Sequence, residues 1–100
     1  MSWVKAARAK LQQGQIARVR PHGGSMRGRI ESGQLVTLAP AEIRDIQTGD
    51  VVFIAWKGNY LLHLVLGVEA DRVLIGNNLG KTNGWAPAAA VLGKVVAVEN

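Results

Sequence analysis

From residue 15 onward the chain is a succession of short apolar or alternating runs. Turn residues (glycine, proline, asparagine or aspartate) separate them, and the runs read as strands. "QIARVR" alternates Ile16, Arg18 and Arg20 with Gln15, Ala17 and Val19, a period of two with no clean apolar face, as at a sheet edge. "QLVTLAP" follows a glycine turn and stops at Pro40. "DVVFIAWK" follows the turn "QTGD", and "NYLLHLVLGVE" follows "KGN", so residues 51 to 68 read as a hairpin. "DRVLIGN" and "AVLGKVVAVEN" read as two more strands. Two of these strands are apolar on both faces and should be central. Before them, "SWVKAARAKLQQ" (residues 2 to 13) repeats Trp3, Ala7 and Leu11 at helical spacing, with Ser2 as its cap and Gly14 as its stop. The expected fold is mainly β, a coiled or barrel-like sheet behind a short N-terminal helix. It is a single domain, with a basic helix over residues 1–14 and a β unit over residues 15–100.

Composition narrows the chemistry. No cysteine is present, which excludes disulfides, thiolate metal sites and a cysteine nucleophile. Two histidines and no clustered acids make a metal centre unexpected. The longest apolar run, "VVFIAW", is far short of the roughly 18 residues of a membrane span. With no secretion signal either, the expected location is cytoplasmic, with peripheral membrane contact as a second option. Residues 1 to 29 carry seven basic side chains and no acid, while the remainder carries five basic and seven acidic ones. That asymmetry leaves Arg18, Arg20, Arg27 and Arg29 as candidates for contact with an anionic membrane or nucleic acid, or simply as a solvated face.

Three polar features interrupt the apolar pattern. "PHGGSMRGRI" places Ser25 after two glycines, where the backbone can approach a ligand closely and its N–H groups could receive an oxyanion. A serine hydroxyl needs a base before it is a nucleophile. His22 stands in the same polar loop, whereas His63 sits between Leu62 and Leu64 in an apolar strand, where its ring nitrogens must find partners. An imidazole there is either a satisfied core residue or a general base. "IGNNLGKTNGW" reads as a polar loop able to supply an amide to that imidazole, or as turn chemistry.

In their order, these pieces resemble the superfamily of signal peptidases and LexA-type cleavage domains. "GGSMRGRIESGQLVTLAP" is similar to the Ser-Met nucleophile box of that superfamily. "DIQTGDVVFIAWKGNYLLHLVLGV" is similar to the box in which a Gly-Asp turn opens a hairpin and the returning strand bears the base. "DRVLIGNN" and "VLGKVVAVEN" are similar to the later strands. The likeness spans about residues 15 to 99. It implies a LexA/signal peptidase type of fold and a serine endopeptidase. Ser25 is then the nucleophile, Gly24 and Met26 belong to its oxyanion loop (with Ser32 as a further donor), and His63 is the base, as in the Ser-His branch. It also implies an extended peptide or protein substrate, small apolar residues near the scissile bond, and no cofactor.

The chain departs from the family pattern at Gly28, where a proline is usual, and at Gln34 in the first Gly-Asp. It departs again at Leu64, where an arginine follows the base, and at Asn77, where the family has an acid. Asn77 or Asn78 could stand in for that acid as an amide that orients His63. Two other functions stay open. One is a catalytically degenerate module that binds peptides without cutting them. The other is a basic β-barrel that binds nucleic acid or an anionic membrane, with Trp3, Trp56 and Trp85 as stacking surfaces.

Overall fold

The computed structural model describes residues 3–22, 29–78 and 80–100. Helix α1 (Trp3–Gln12) is followed by seven strands: β1 (Ala17–Val19), β2 (Leu35–Ala39), β3 (Val51–Trp56), β4 (Asn59–Glu69), β5 (Arg72–Gly76), β6 (Thr82–Pro87) and β7 (Val91–Glu99). They form one sheet in the order β1-β2-β7-β3-β4-β5-β6, and every neighbouring pair is antiparallel. The protein is thus mainly β with a short N-terminal helix.

The centre of the sheet is β3. Val52, Phe53 and Ile54 are successive residues and each is 0% exposed. Successive side chains on a strand point to opposite faces, so β3 is covered on both faces and must be paired along both edges. β4 pairs one edge over the full length of β3, from Val51↔Leu64 to Trp56↔Asn59. The hairpin turn has φ of 49° at Lys57 and 82° at Gly58. Two positive φ values in a two-residue loop make a type I′ turn, whose twist matches that of the flanking strands. β7 pairs the other edge through Val52↔Lys94, Phe53↔Gly93 and Ile54↔Val91.

The two faces carry two apolar clusters. The first joins Trp3, Val4, Ala7 and Leu11 of α1 with Ala17, Val19, Val36, Leu38, Phe53, Tyr60 and Leu62. Trp3 meets Phe53 at 5.2 Å between ring centroids, and Tyr60 meets Phe53 at 6.1 Å. The second cluster joins Ile46, Val52, Ile54, Val65, Val73, Ile75 and Ala86. The helix is held by its apolar stripe: Ala7 and Leu11 are buried against the sheet. A ten-residue helix is marginal in isolation, so this burial is what keeps it formed.

β6 lies in the segment whose sequence reads as a polar loop. "TNGWAP" has no alternation, and Ala86 is its one buried residue. Its strand geometry comes from the ladder to β5, Val73↔Ala86 and Leu74↔Trp85, so tertiary pairing overrides a composition poor in strand formers. The insertion of β7 between β2 and β3 is likewise not visible locally.

Gly93 on β7 lies against the end of β2 and under Leu11 of α1. A Cβ there would lie 2.6 Å from the Ala39 carbonyl oxygen and 3.2 Å from Leu11 Cδ2. Gly93→Ala is expected to destabilise the fold by about 1–3 kcal/mol through overpacking, and Phe53→Ala by about 3–5 kcal/mol through the cavity it leaves. Urea unfolding curves of the two variants check both values.

Candidate active site

His63 is placed by the β3–β4 ladder. On β4, Tyr60, Leu62 and Leu64 face the first cluster and Val65 the second. His63 therefore shares the face of Val65, and its cross-strand partner Val52 belongs to the second cluster. The imidazole is 7% exposed. Its Nδ1 is hydrogen-bonded to the carbonyl oxygen of Leu62. A carbonyl only accepts, so Nδ1 carries the proton and donates. In the neutral ring Nε2 is then the acceptor nitrogen, which is the tautomer a general base requires.

Polar groups gather at this end of the sheet. Val52 pairs with His63 on one side and with Lys94 on the other, which sets the His63 and Lys94 backbones two strand spacings apart, about 10 Å. Lys94 Nζ donates to the Asp45 carbonyl at 2.7 Å and lies 3.7 Å from Asp50 Oδ2. The Asp50 carboxylate also accepts from Gln47 N at 2.9 Å. The Gly49–Asp50 turn is bound directly to β4: Gly49 N donates to Val65 O at 2.9 Å, and Val65 N donates to Asp50 O at 2.8 Å. Across the other edge of β4, Leu64 pairs with Gly76, so Asn77 and Asn78 leave β5 beside His63. The Asn77 side-chain oxygen accepts from Lys81 N at 3.0 Å, closing its own turn. The Asn78 side-chain oxygen accepts from Arg29 Nε at 3.1 Å. The group on His63 Nδ1 is a backbone carbonyl.

Ser25, Gly24, Met26 and Arg27, the sequence candidates for the nucleophile loop and one of the anion contacts, lie outside the described residues. Both flanks of that loop are described, and both are fixed. On the entry side Pro21 is buried and its carbonyl accepts from Gly33 N at 3.0 Å, while Arg20 Nη1 donates to Gly33 O at 2.9 Å. His22 Nδ1 and the Ser32 hydroxyl are hydrogen-bonded at 3.2 Å across the same neck. On the return side Ile30 is 5% exposed in the first cluster. Next to it, Arg29 Nη1 donates to Gly49 O at 3.1 Å.

The other candidates fall elsewhere. Arg18 is exposed on β1, while Arg20 and Arg29 serve as ties to backbone carbonyls. Of the tryptophans, Trp3 packs on Phe53 inside the first cluster. Trp56 carries Lys57 over its ring at 5.5 Å, and Trp85 carries Arg72 at 4.3 Å. Among the described residues no group of three or more His, Cys, Asp or Glu side chains is placed to hold a metal. No helix among them is long and apolar enough to cross a membrane.

What sequence reasoning missed is the backbone share of the site. The Leu62 carbonyl, on the residue before His63, leaves no residue-type signal, and the Gly49–Asp50 turn, which the sequence marks, is brought to β4 by its backbone hydrogen bonds to Val65. No protein-family model matches the chain, and a comparison with curated proteins finds no match either. The likeness to the peptidase superfamily rests on the motifs and their order.

The tautomer is directly measurable. Long-range 1H–15N spectra of the neutral protein should show His63 Nδ1 as the protonated nitrogen and Nε2 as the bare one. The reverse pattern would remove Nε2 as a proton acceptor.

Proposed function

We propose that the chain is a serine endopeptidase of the signal peptidase/LexA type, with Ser25 as nucleophile and His63 as general base. The observation that carries this reading is the state of His63. It is a buried imidazole whose Nδ1 is pinned by a carbonyl, at the end of the sheet to which Arg29 ties the return flank of the Ser25 loop.

In the proposed reaction the Ser25 hydroxyl attacks the peptide carbonyl and His63 Nε2 takes its proton. Backbone N–H groups of the Gly24–Met26 loop hold the oxyanion, and His63 returns the proton to the departing amine. Water then hydrolyses the acyl-enzyme, with the same imidazole as base. The substrate is an extended segment of a peptide or protein with small apolar residues at the cut. The same reading favours the LexA-type fold as the finer description of the seven-stranded sheet.

One observation favours a second reading, a peptide-binding module that no longer cuts. The orienting group on His63 is a neutral carbonyl, which stabilises a developing imidazolium less than a carboxylate does. The two readings part on reactivity. A biotinylated alkyl fluorophosphonate should label the wild-type chain, and both Ser25→Ala and His63→Gln should cut labelling by at least about 100-fold. If the wild-type chain stays unlabelled while it still binds extended peptides, the binding module is correct.

A further inference from the structure

We propose that the groove where β7 parts from β3 is a docking edge for an extended acidic peptide, which adds a strand to β7 and sets a carboxylate on Arg29. The inference does not rest on the serine chemistry. β3 and β7 are paired only through Val52, Phe53 and Ile54. Before Val52 the chain is held to β4 instead, by Gly49 N to Val65 O at 2.9 Å and Val65 N to Asp50 O at 2.8 Å. β7 runs on to Glu99 along β2. From Val95 to Glu99 one edge of β7 is therefore paired with β2, and among the described residues no strand pairs with the other.

A groove of about 310 Å³ follows that open edge. It is lined by residues 95–98 of β7, residues 49–51 at the entry to β3, and Arg29 with Ile30. This volume is at the low end for a small-ligand pocket and suits a few residues of extended chain.

Three features choose the occupant. The first is the edge itself, where a row of N–H and C=O groups without strand partners is a template for another strand. The second is apolar surface: Val96 and Val98 are 52% and 36% exposed. Val96 is the extra residue of a bulge opposite the Thr37–Leu38 step, and a bulge re-aims a side chain. The third is charge. Arg29 donates through Nε to the Asn78 side-chain oxygen and through Nη1 to the Gly49 carbonyl, and both acceptors are neutral. A guanidinium has more N–H donors than these two bonds use. The ion pairs among the described residues are Arg44–Glu42, Arg72–Glu69 and Lys94–Asp50, so no carboxylate there neutralises Arg29. Asp50, the one acid lining the groove, is already paired with Lys94.

The groove thus sets an uncompensated positive charge beside an apolar strand edge. An extended peptide with a β-branched side chain and an acid supplies all three complements, the carboxylate by charge-assisted hydrogen bonds to the planar fork. A nucleic acid would match the charge alone, having no strand to add.

The test uses the full chain as Ser25→Ala, so that no peptide is consumed. The probes are equimolar pools of short acetylated peptide amides that alternate Val or Thr with Ser and carry Glu at one end, with matching pools that carry Gln. 1H–15N spectra of the labelled chain report where each pool binds, and melting temperature reports the fold. The Glu pools should shift the amides of residues 95–99, slow their exchange, and bind at least about tenfold tighter than the Gln pools. R29M should bring the Glu pools down to the Gln pools, with melting within a few degrees of the parent chain. V96D, at an exposed position, should weaken the Glu pools at least about tenfold by like charge, and it decides the matter if R29M does not fold. R44M is the control and should bind as the parent does, since Arg44 pairs with Glu42.

Equal binding of Glu and Gln pools, or parent-like binding by both R29M and V96D, would overturn the inference. So would the absence of any shift on β7. Shifts confined to β4 around His63 would place the peptide in the proposed active site and overturn the groove while leaving the peptidase reading standing. Shifts on β7 that grow with protein concentration alone would give the edge to a second copy and overturn the peptide. A wild-type chain that stays unlabelled by the fluorophosphonate would overturn the peptidase reading and leave this groove untouched.

Discussion

The whole arrangement depends on one strand that meets water on neither face. Val52, Phe53 and Ile54 are fully buried in succession, so β3 needs an apolar layer above, another below, and a hydrogen-bonding partner at each edge. The hairpin supplies β4 on one edge at little entropic cost, because a type I′ turn of two residues closes it. The other edge is filled by β7, from nearly forty residues further along the chain. Helix α1 and the strands around it close the first face, and Ile46, Val73, Ile75 and Ala86 close the second.

The site is a consequence of that burial. His63 sits opposite Val52 and inherits its environment. A ring placed there cannot leave both nitrogens without partners, and the nearest obligatory acceptor is the carbonyl of Leu62. The tautomer is thus set by a backbone group that mutation of side chains cannot remove. The polar end of the sheet is assembled from segments far apart in sequence: Arg29, Gly49–Asp50, Asn77–Asn78 and Lys94. In the proposed chemistry these groups share the work of placement, while the serine and the imidazole share the proton.

The arginines show that a basic stretch also serves the fold. A stretch of basic side chains without acids suggests an anionic partner. Arg20 and Arg29 donate to carbonyl oxygens of the neck and the β3 entry. A carbonyl acceptor has no charge and no residue-type signature, so nothing in the sequence distinguishes an arginine that holds a loop from one that waits for a phosphate. The amides of Asn77 and Asn78 make the same point: one closes a turn to Lys81 and the other receives Arg29.

The sequence by itself determined the class and the local elements. The period of two, the doubly apolar "VVFIA" and the "KGN" turn specify a buried central strand with a hairpin, and the Trp3, Ala7, Leu11 spacing specifies a helix with one apolar stripe. It also singled out His63 as a polar residue in an apolar strand. Only the tertiary structure decided that β7 lies between β2 and β3, that "TNGWAP" is a strand, and that Arg29 meets both Gly49 and Asn78. Patterning is local, because side-chain direction follows from the backbone repeat of a few residues. Strand order, register and the partners of a guanidinium are settled by contacts between segments far apart in the chain, and these exist only once the sheet has formed.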